Sequence, residues 1–234
     1  MLSLADAQKE IEANRVECLS LLKRMGDFHT PAEGEPYDPT FRLIATPMLY
    51  SAWERCFSLC HEVALRLVRD NTPHPMALPC STRAVWLLHT PFYKSMADKL
   101  KTQVSDSERP KRGQFASLCD FLAELDAWST KALDPTVSTE SMVMTMSNVN
   151  PDVVEINAKA IGLYDTPLFQ SLRLGKLHDL VGRRNEIGHG GVIEPPSNET
   201  FVELWAFTQQ MIDAYCAAVS CWMSAAFAPA AATA

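Results

Sequence analysis

Apolar residues recur at helical spacing along most of the chain. In residues 3 to 28, Leu4, Ile11, Cys18, Leu22 and Met25 fall on one face, with Lys9, Glu10, Glu12 and Glu17 away from it. Residues 30 to 39 (TPAEGEPYDP) carry three prolines and a glycine and read as a loop. A second helix is expected from near Pro47, a favourable first-turn residue, to about Asp70. Its Leu49, Trp53, Cys56, Cys60, Val63, Ala64 and Leu67 lie within about 100° of arc, with Glu54 and His61 flanking the stripe. The proline-rich run 71 to 79 stops it.

Ser81 to Gln103 reads as helix, kinked or divided at Pro91. Ser105 to Gly113 is a charged loop holding Arg109, Lys111 and Arg112, and Phe115 to Trp128 is an amphipathic helix. Thr130 to Asn148 has no period and fits either a short strand or an irregular crossing. Asn150-Pro151-Asp152 combines a cap residue, a first-turn proline and an acid at the positive dipole end, predicting a helix that ends at Gly162. Leu172 to about Gly188 is a further helix. Residues 194 to 197 (EPPS) turn into a last helix, Phe201 to about Met223, with Thr200 and Glu203 as a capping box. Glu203, Gln209, Gln210 and Asp213 interrupt that most apolar stretch, so a buried bundle helix is expected and no membrane span. The pattern predicts an all-α antiparallel bundle: an additional N-terminal helix (1–30), a bundle (31–226) and a low-complexity tail (227–234).

Composition changes this picture little. With 47% hydrophobic residues the chain can bury a core, and 15 prolines against 9 glycines suit punctuated helices. A formal charge of -7 gives no general basic footprint, so a nucleic-acid partner would need a local patch. The seven cysteines are scattered; Cys56 and Cys60, four apart, make a poor metal spacing without a second pair, and all are expected to be free thiols packed as small hydrophobes. His29, His74 and His89 have no ligand spacing, and no metal or cofactor is expected. The five tryptophans (Trp53, Trp86, Trp128, Trp205, Trp222) are spaced as core. The first residues lack a basic segment followed by an apolar one, which predicts a cytoplasmic protein.

One stretch stands apart: Leu177 to Gly191, LHDLVGRRNEIGHGG. On a wheel centred on Leu177, the side chains of Leu174, Leu180, Val181 and Ile187 fall within roughly 80° of it, and Arg184 lies about 20° from it, inside the apolar arc. Arg183 points away, towards Glu186. A guanidinium on an apolar face must snorkel, find a buried acid or line an anion site. Asn185 and His189, four apart, share a face with His178, bracketed by Gly182 and Gly188. Interior glycine costs about 1 kcal/mol each, which makes sense if another backbone approaches. Histidine can move protons near neutrality and arginine binds phosphate bidentately, a pairing suited to cleaving RNA without a metal. A structural role remains open on spacing alone, with His189 on the helix dipole and Arg184 paired to an acid.

RRNEIGHGG resembles the R-x4-H signature of HEPN domains. LYSAWERCFSLCHEVALRLV (Leu49 to Val68) is similar to the Trp-Glu helix of the toxin–antitoxin-linked HEPN-like branch, and SNVNPDVVEINAKAIGL (Ser147 to Leu163) is also similar to a segment of that branch. The resemblance implies a helical bundle that forms a homodimer with its motif helices face to face. It also implies one composite, metal-independent endoribonuclease site built from both chains, in a toxin or antiphage effector. By position, Arg184 and His189 match the catalytic pair, Asn185 the polar residue that orients them, and Glu54 a supporting acid that could hold Arg184. Arg183 and Lys176 are candidate RNA contacts. Some such toxins carry a tyrosine two residues after the histidine, modified by a partner; here Gly191 stands there, so a protein antitoxin is the expected regulator. The alternatives are a non-catalytic HEPN-like binding protein (an antitoxin or a nucleic-acid-sensing partner) and, with no phosphate loop in view, a helical ligand-binding protein.

Overall fold

Asp38 starts the longest helix: its carboxylate accepts from the Thr40 and Phe41 amides, and Pro39 fills the first turn. A computed structural model describes residues 1–103, 112–145, 148–189 and 194–227. Among them the chain is all α-helical, with no strand. The helices are α1 (Leu4–Phe28), α2 (Pro39–Asn71), α3 (Cys80–Leu88), α4 (Pro91–Gln103), α5 (Arg112–Ser129), α6 (Pro151–Ile161), α7 (Pro167–Gln170), α8 (Lys176–Gly188) and α9 (Asn198–Phe227). Arg109, Lys111, Gly190, Gly191 and most of the alanine-rich tail lie outside the described residues.

The frame is α1, α2 and α9. Glu10 pairs with Arg66 and Glu17 with Arg55, so α1 runs antiparallel to α2. Gln8 meets Ser224 and Arg15 meets Asp213, so it is antiparallel to α9 as well. Phe41 lies against Phe201, and Trp53 against Tyr215, so the two longest helices run side by side in the same direction. The expected antiparallel bundle is therefore mixed in direction. The N-terminal helix is part of the core, burying Ala7, Ile11, Cys18 and Leu22 against the other two. The predicted stripe of α2, Leu49 through Leu67, is buried throughout.

Several boundaries differ from the sequence reading: α5 starts at Arg112, inside the expected loop 105–113, and α9 runs on to Phe227. α2 begins eight residues before Pro47, which lies inside it. Proline there removes one bond of the helical ladder; the Thr46 and Ser51 hydroxyls beside it donate to the carbonyls of Arg42 and Pro47. The last helix is capped by Ser197, whose hydroxyl oxygen accepts from the Thr200 amide, so Thr200 is not itself the cap. Residues 172 to 175 precede α8, a separate short helix being formed by Pro167–Gln170. The split before Pro91 occurs as expected.

Two features of the core position the site. Asn150 caps α6 by accepting from the Val153 amide, and Gly162 ends it at φ 82°, a left-handed conformation that favours glycine. The described residues of the aperiodic segment before α6 form no strand and hold one short 3-10 turn, Glu140–Met142. Asn157 holds the segment, accepting from the Met144 amide and donating to the Met144 carbonyl. Trp53, Trp86 and Trp222 are buried, with Trp128 and Trp205 packed partly buried against the core. No helix among the described residues is long and apolar enough to cross a membrane.

His61 is enclosed in this core and shares a hydrogen bond through Nε2 with the Tyr215 hydroxyl. Burial pulls the imidazole down to about 3 from an ordinary 6.5. Between those values the unfolded chain binds a proton that the folded one refuses. Stability is therefore full above pH 6.5 and falls as pH drops toward 3, by up to about 1.4 kcal/mol per pH unit. Urea denaturation of the wild type and His61→Gln at pH 6.5 and pH 5 checks this: the variant should lose less stability on acidification, and equal losses would contradict it.

Candidate functional site

Arg184 is placed by α8, whose Leu177, Leu180 and Val181 are buried against the bundle. That anchoring turns Arg184 inward, as the wheel requires, and leaves it half-buried. Its Nη1 donates to the side-chain oxygens of Asn185 (3.0 Å) and Asn148 (3.4 Å). The guanidinium carbon lies 5.1 Å from the centroid of the Tyr50 ring, a cation–π placement. Both amide partners are neutral, and no carboxylate bonds Arg184 among the described residues.

Tyr50 is the centre of this arrangement. Its hydroxyl donates to Glu54 Oε1 (3.0 Å) and accepts from the Val149 amide (2.8 Å). The Val149 carbonyl accepts in turn from the Trp53 indole (3.2 Å). Burial pushes the phenol up to about 12, with the Glu54 carboxylate in the same direction and Arg184 opposing it. The hydroxyl therefore stays protonated and can donate. Glu54 does not hold Arg184 directly, as the sequence reading suggested. It acts on Tyr50, one turn back on α2, and Tyr50 carries the cation on its ring face.

His189 is exposed at the C-terminal cap of α8, its backbone N–H donating to the Asn185 carbonyl at 3.0 Å. Asn185 thus bonds Arg184 with its side chain and His189 with its backbone. No hydrogen bond joins Arg184 to His189 within the chain among the described residues. A β-carbon added at Gly182 or Gly188 would meet nothing within 4 Å, so packing inside the chain requires neither glycine.

Lys176 and Arg183 are exposed on another side of α8 and line a cleft of about 370 Å³ with His178, Asp179, Glu186 and Glu203. Each is already paired, Lys176 with Glu203 (3.1 Å) and Arg183 with Glu186 (2.9 Å). The structure does not bring them to Arg184. Of the metal-binding residue types, one group gathers among the described residues: the buried thiols of Cys56, Cys60 and Cys216. The sequence reading set Cys56 and Cys60 aside as a poor metal spacing and did not connect them with Cys216, which lies 156 positions from Cys60.

No family model matches this chain, and neither a curated protein nor a solved structure matches it. The likeness to HEPN domains thus rests on its three segments. Those segments converge at one point in the fold: Tyr50 and Glu54 from the first, Asn148 and Val149 from the second, Arg184 from the third.

Tyr50→Phe keeps the ring under Arg184 and removes the hydroxyl. The buried Val149 amide then loses its acceptor, which should destabilise the fold by about 1–3 kcal/mol. Chemical denaturation measures this; an unchanged midpoint would show that the hydroxyl bonds contribute nothing.

Proposed function

We propose that this protein is a metal-independent HEPN-type endoribonuclease, acting as a toxin or antiphage effector, with a composite site formed where two copies bring their α8 helices together. The observation that carries the reading is a half-buried arginine whose hydrogen-bond partners among the described residues are all neutral. Leaving a guanidinium there without a carboxylate is unfavourable unless an anion completes it, and a phosphodiester is a fitting anion. His189, exposed five residues on, supplies an acid–base group. In the reaction, a histidine takes the proton of a ribose 2′-hydroxyl, the oxygen attacks the adjacent phosphorus, and the 5′-oxygen leaves with a proton. The product ends are a 2′,3′-cyclic phosphate and a 5′-hydroxyl. Arg184 stabilises the charge that develops on the phosphoryl oxygens.

The homodimer is proposed on two supports. Arg184 and His189 do not bond each other within one chain, so a second copy would supply the missing juxtaposition. The open space over Gly182 and Gly188 suits close approach by another helix. A protein antitoxin that covers this face would silence the site.

A non-catalytic HEPN-like binding protein is the second reading. The pairing of Lys176 and Arg183 with carboxylates, in a chain of charge -7, favours it by leaving little free positive surface beside the site. Activity decides between them. His189→Ala should lower RNA cleavage in EDTA by about 10²-fold or more, and Arg184→Lys should also be impaired because lysine lacks the planar fork. Circular dichroism would establish that both variants fold. Full cleavage by His189→Ala would sink the ribonuclease reading.

A further inference from the structure

α1, α2 and α9 meet at a cluster of thiols that the proposed RNA site does not use. Cys56 and Cys60 are four apart on α2 and so share one face. Cys216 of α9 lies opposite, its Sγ 3.5 Å from that of Cys56 and 3.7 Å from that of Cys60. All three are buried, with their sulfurs within 4.8 Å of one another. Cys18 of α1, also buried, lies outside that group of three and donates to the Asn14 side-chain oxygen at 3.5 Å.

These separations are those of metal ligands. Two thiolates bound to one tetrahedral zinc at about 2.3 Å lie about 3.8 Å apart. A disulfide needs its sulfurs at about 2.05 Å and would join only two of the four thiols. Asn14 is a second, independent sign. This buried amide directs its N–H toward Cys60 Sγ at 3.9 Å, with the Cys56 carbonyl as its closer acceptor at 3.1 Å. An N–H aimed at sulfur is the kind of contact that supports a metal-bound thiolate.

We propose that Cys56, Cys60 and Cys216 form a structural zinc site, with Cys18, which meets the same Asn14 side chain as Cys60, turning from it to supply the fourth thiolate, and that the site ties α1, α2 and α9 together. Binding exchanges four S–H protons, released to solvent, for four zinc–sulfur bonds, and leaves the buried centre with two negative charges beside the Asn14 amide. No sulfur changes oxidation state. The ion enters as the three helices assemble and is then sealed from water. It has no part in RNA cleavage, so loss of zinc binding and loss of cleavage are separate results.

The test uses the full chain, unfolded under reducing conditions, refolded with zinc and dialysed. Elemental analysis should find one zinc per chain, and refolding with cobalt should give an intense thiolate-to-cobalt charge-transfer absorption. Cys56→Ser with Cys216→Ser should lose the metal, whereas Cys221→Ser, an exposed thiol on the same helix α9, should keep it. Should the double variant fail to fold, the cobalt spectrum of the wild type still reports the number of thiolates. A wild type that folds with all seven thiols reduced and retains no zinc or cobalt would overturn the site. So would metal retained by a folded double variant, or two thiols missing from the denatured, unreduced protein as a disulfide.

Discussion

The Tyr50 hydroxyl is the joint on which the candidate site depends. It joins α2 to the residues just before α6 by accepting from the Val149 amide, and it engages Glu54 on its own helix. The same residue offers its ring to Arg184 of α8. One side chain thus fixes the distance between three segments that are far apart in sequence. The phenol can do this because its two bonds use both donor and acceptor capacity. Glu54 contributes by taking the phenol's proton as a hydrogen bond, which leaves the oxygen free to accept from the backbone.

This joint sets the electrostatics of Arg184. A carboxylate partner would have neutralised the guanidinium and made it a structural ion pair, as happens to Arg183 with Glu186 and Lys176 with Glu203. Arg184 is instead held by two amide oxygens and an aromatic face, contacts that orient a cation without cancelling its charge. The contrast between adjacent arginines on one helix follows from a rotation of about 100° per residue. One faces solvent and finds an acid; the other faces the bundle and finds neutral acceptors.

Much of the fold was legible because helical periodicity dictates it. The stripe from Leu49 to Leu67 is the core face of α2, and Asn150-Pro151-Asp152 starts α6. Pro47 misled the boundary of α2, because a proline favours a first turn and Asp38-Pro39 offers the same signal earlier. Ser197 displaced Thr200 as the last cap because both residue types can cap and only the chain's path chooses between them. In the site, the wheel separated Arg184 from Arg183 correctly. It could not find Tyr50 or Asn148, nor bring Cys216 to Cys56, since these contacts follow from tertiary packing and leave no trace in local spacing.

The central claim is that Arg184 waits for a phosphodiester which a histidine then helps to cleave at the ribose 2′-hydroxyl. It is tested most directly by incubating the purified protein, in EDTA, with a single-stranded RNA and with a matching strand of 2′-deoxynucleotides. The account predicts cleavage of the RNA, with 2′,3′-cyclic phosphate ends, and an intact deoxy strand. Cleavage of the deoxy strand, or no cleavage of RNA at any protein concentration, would contradict it.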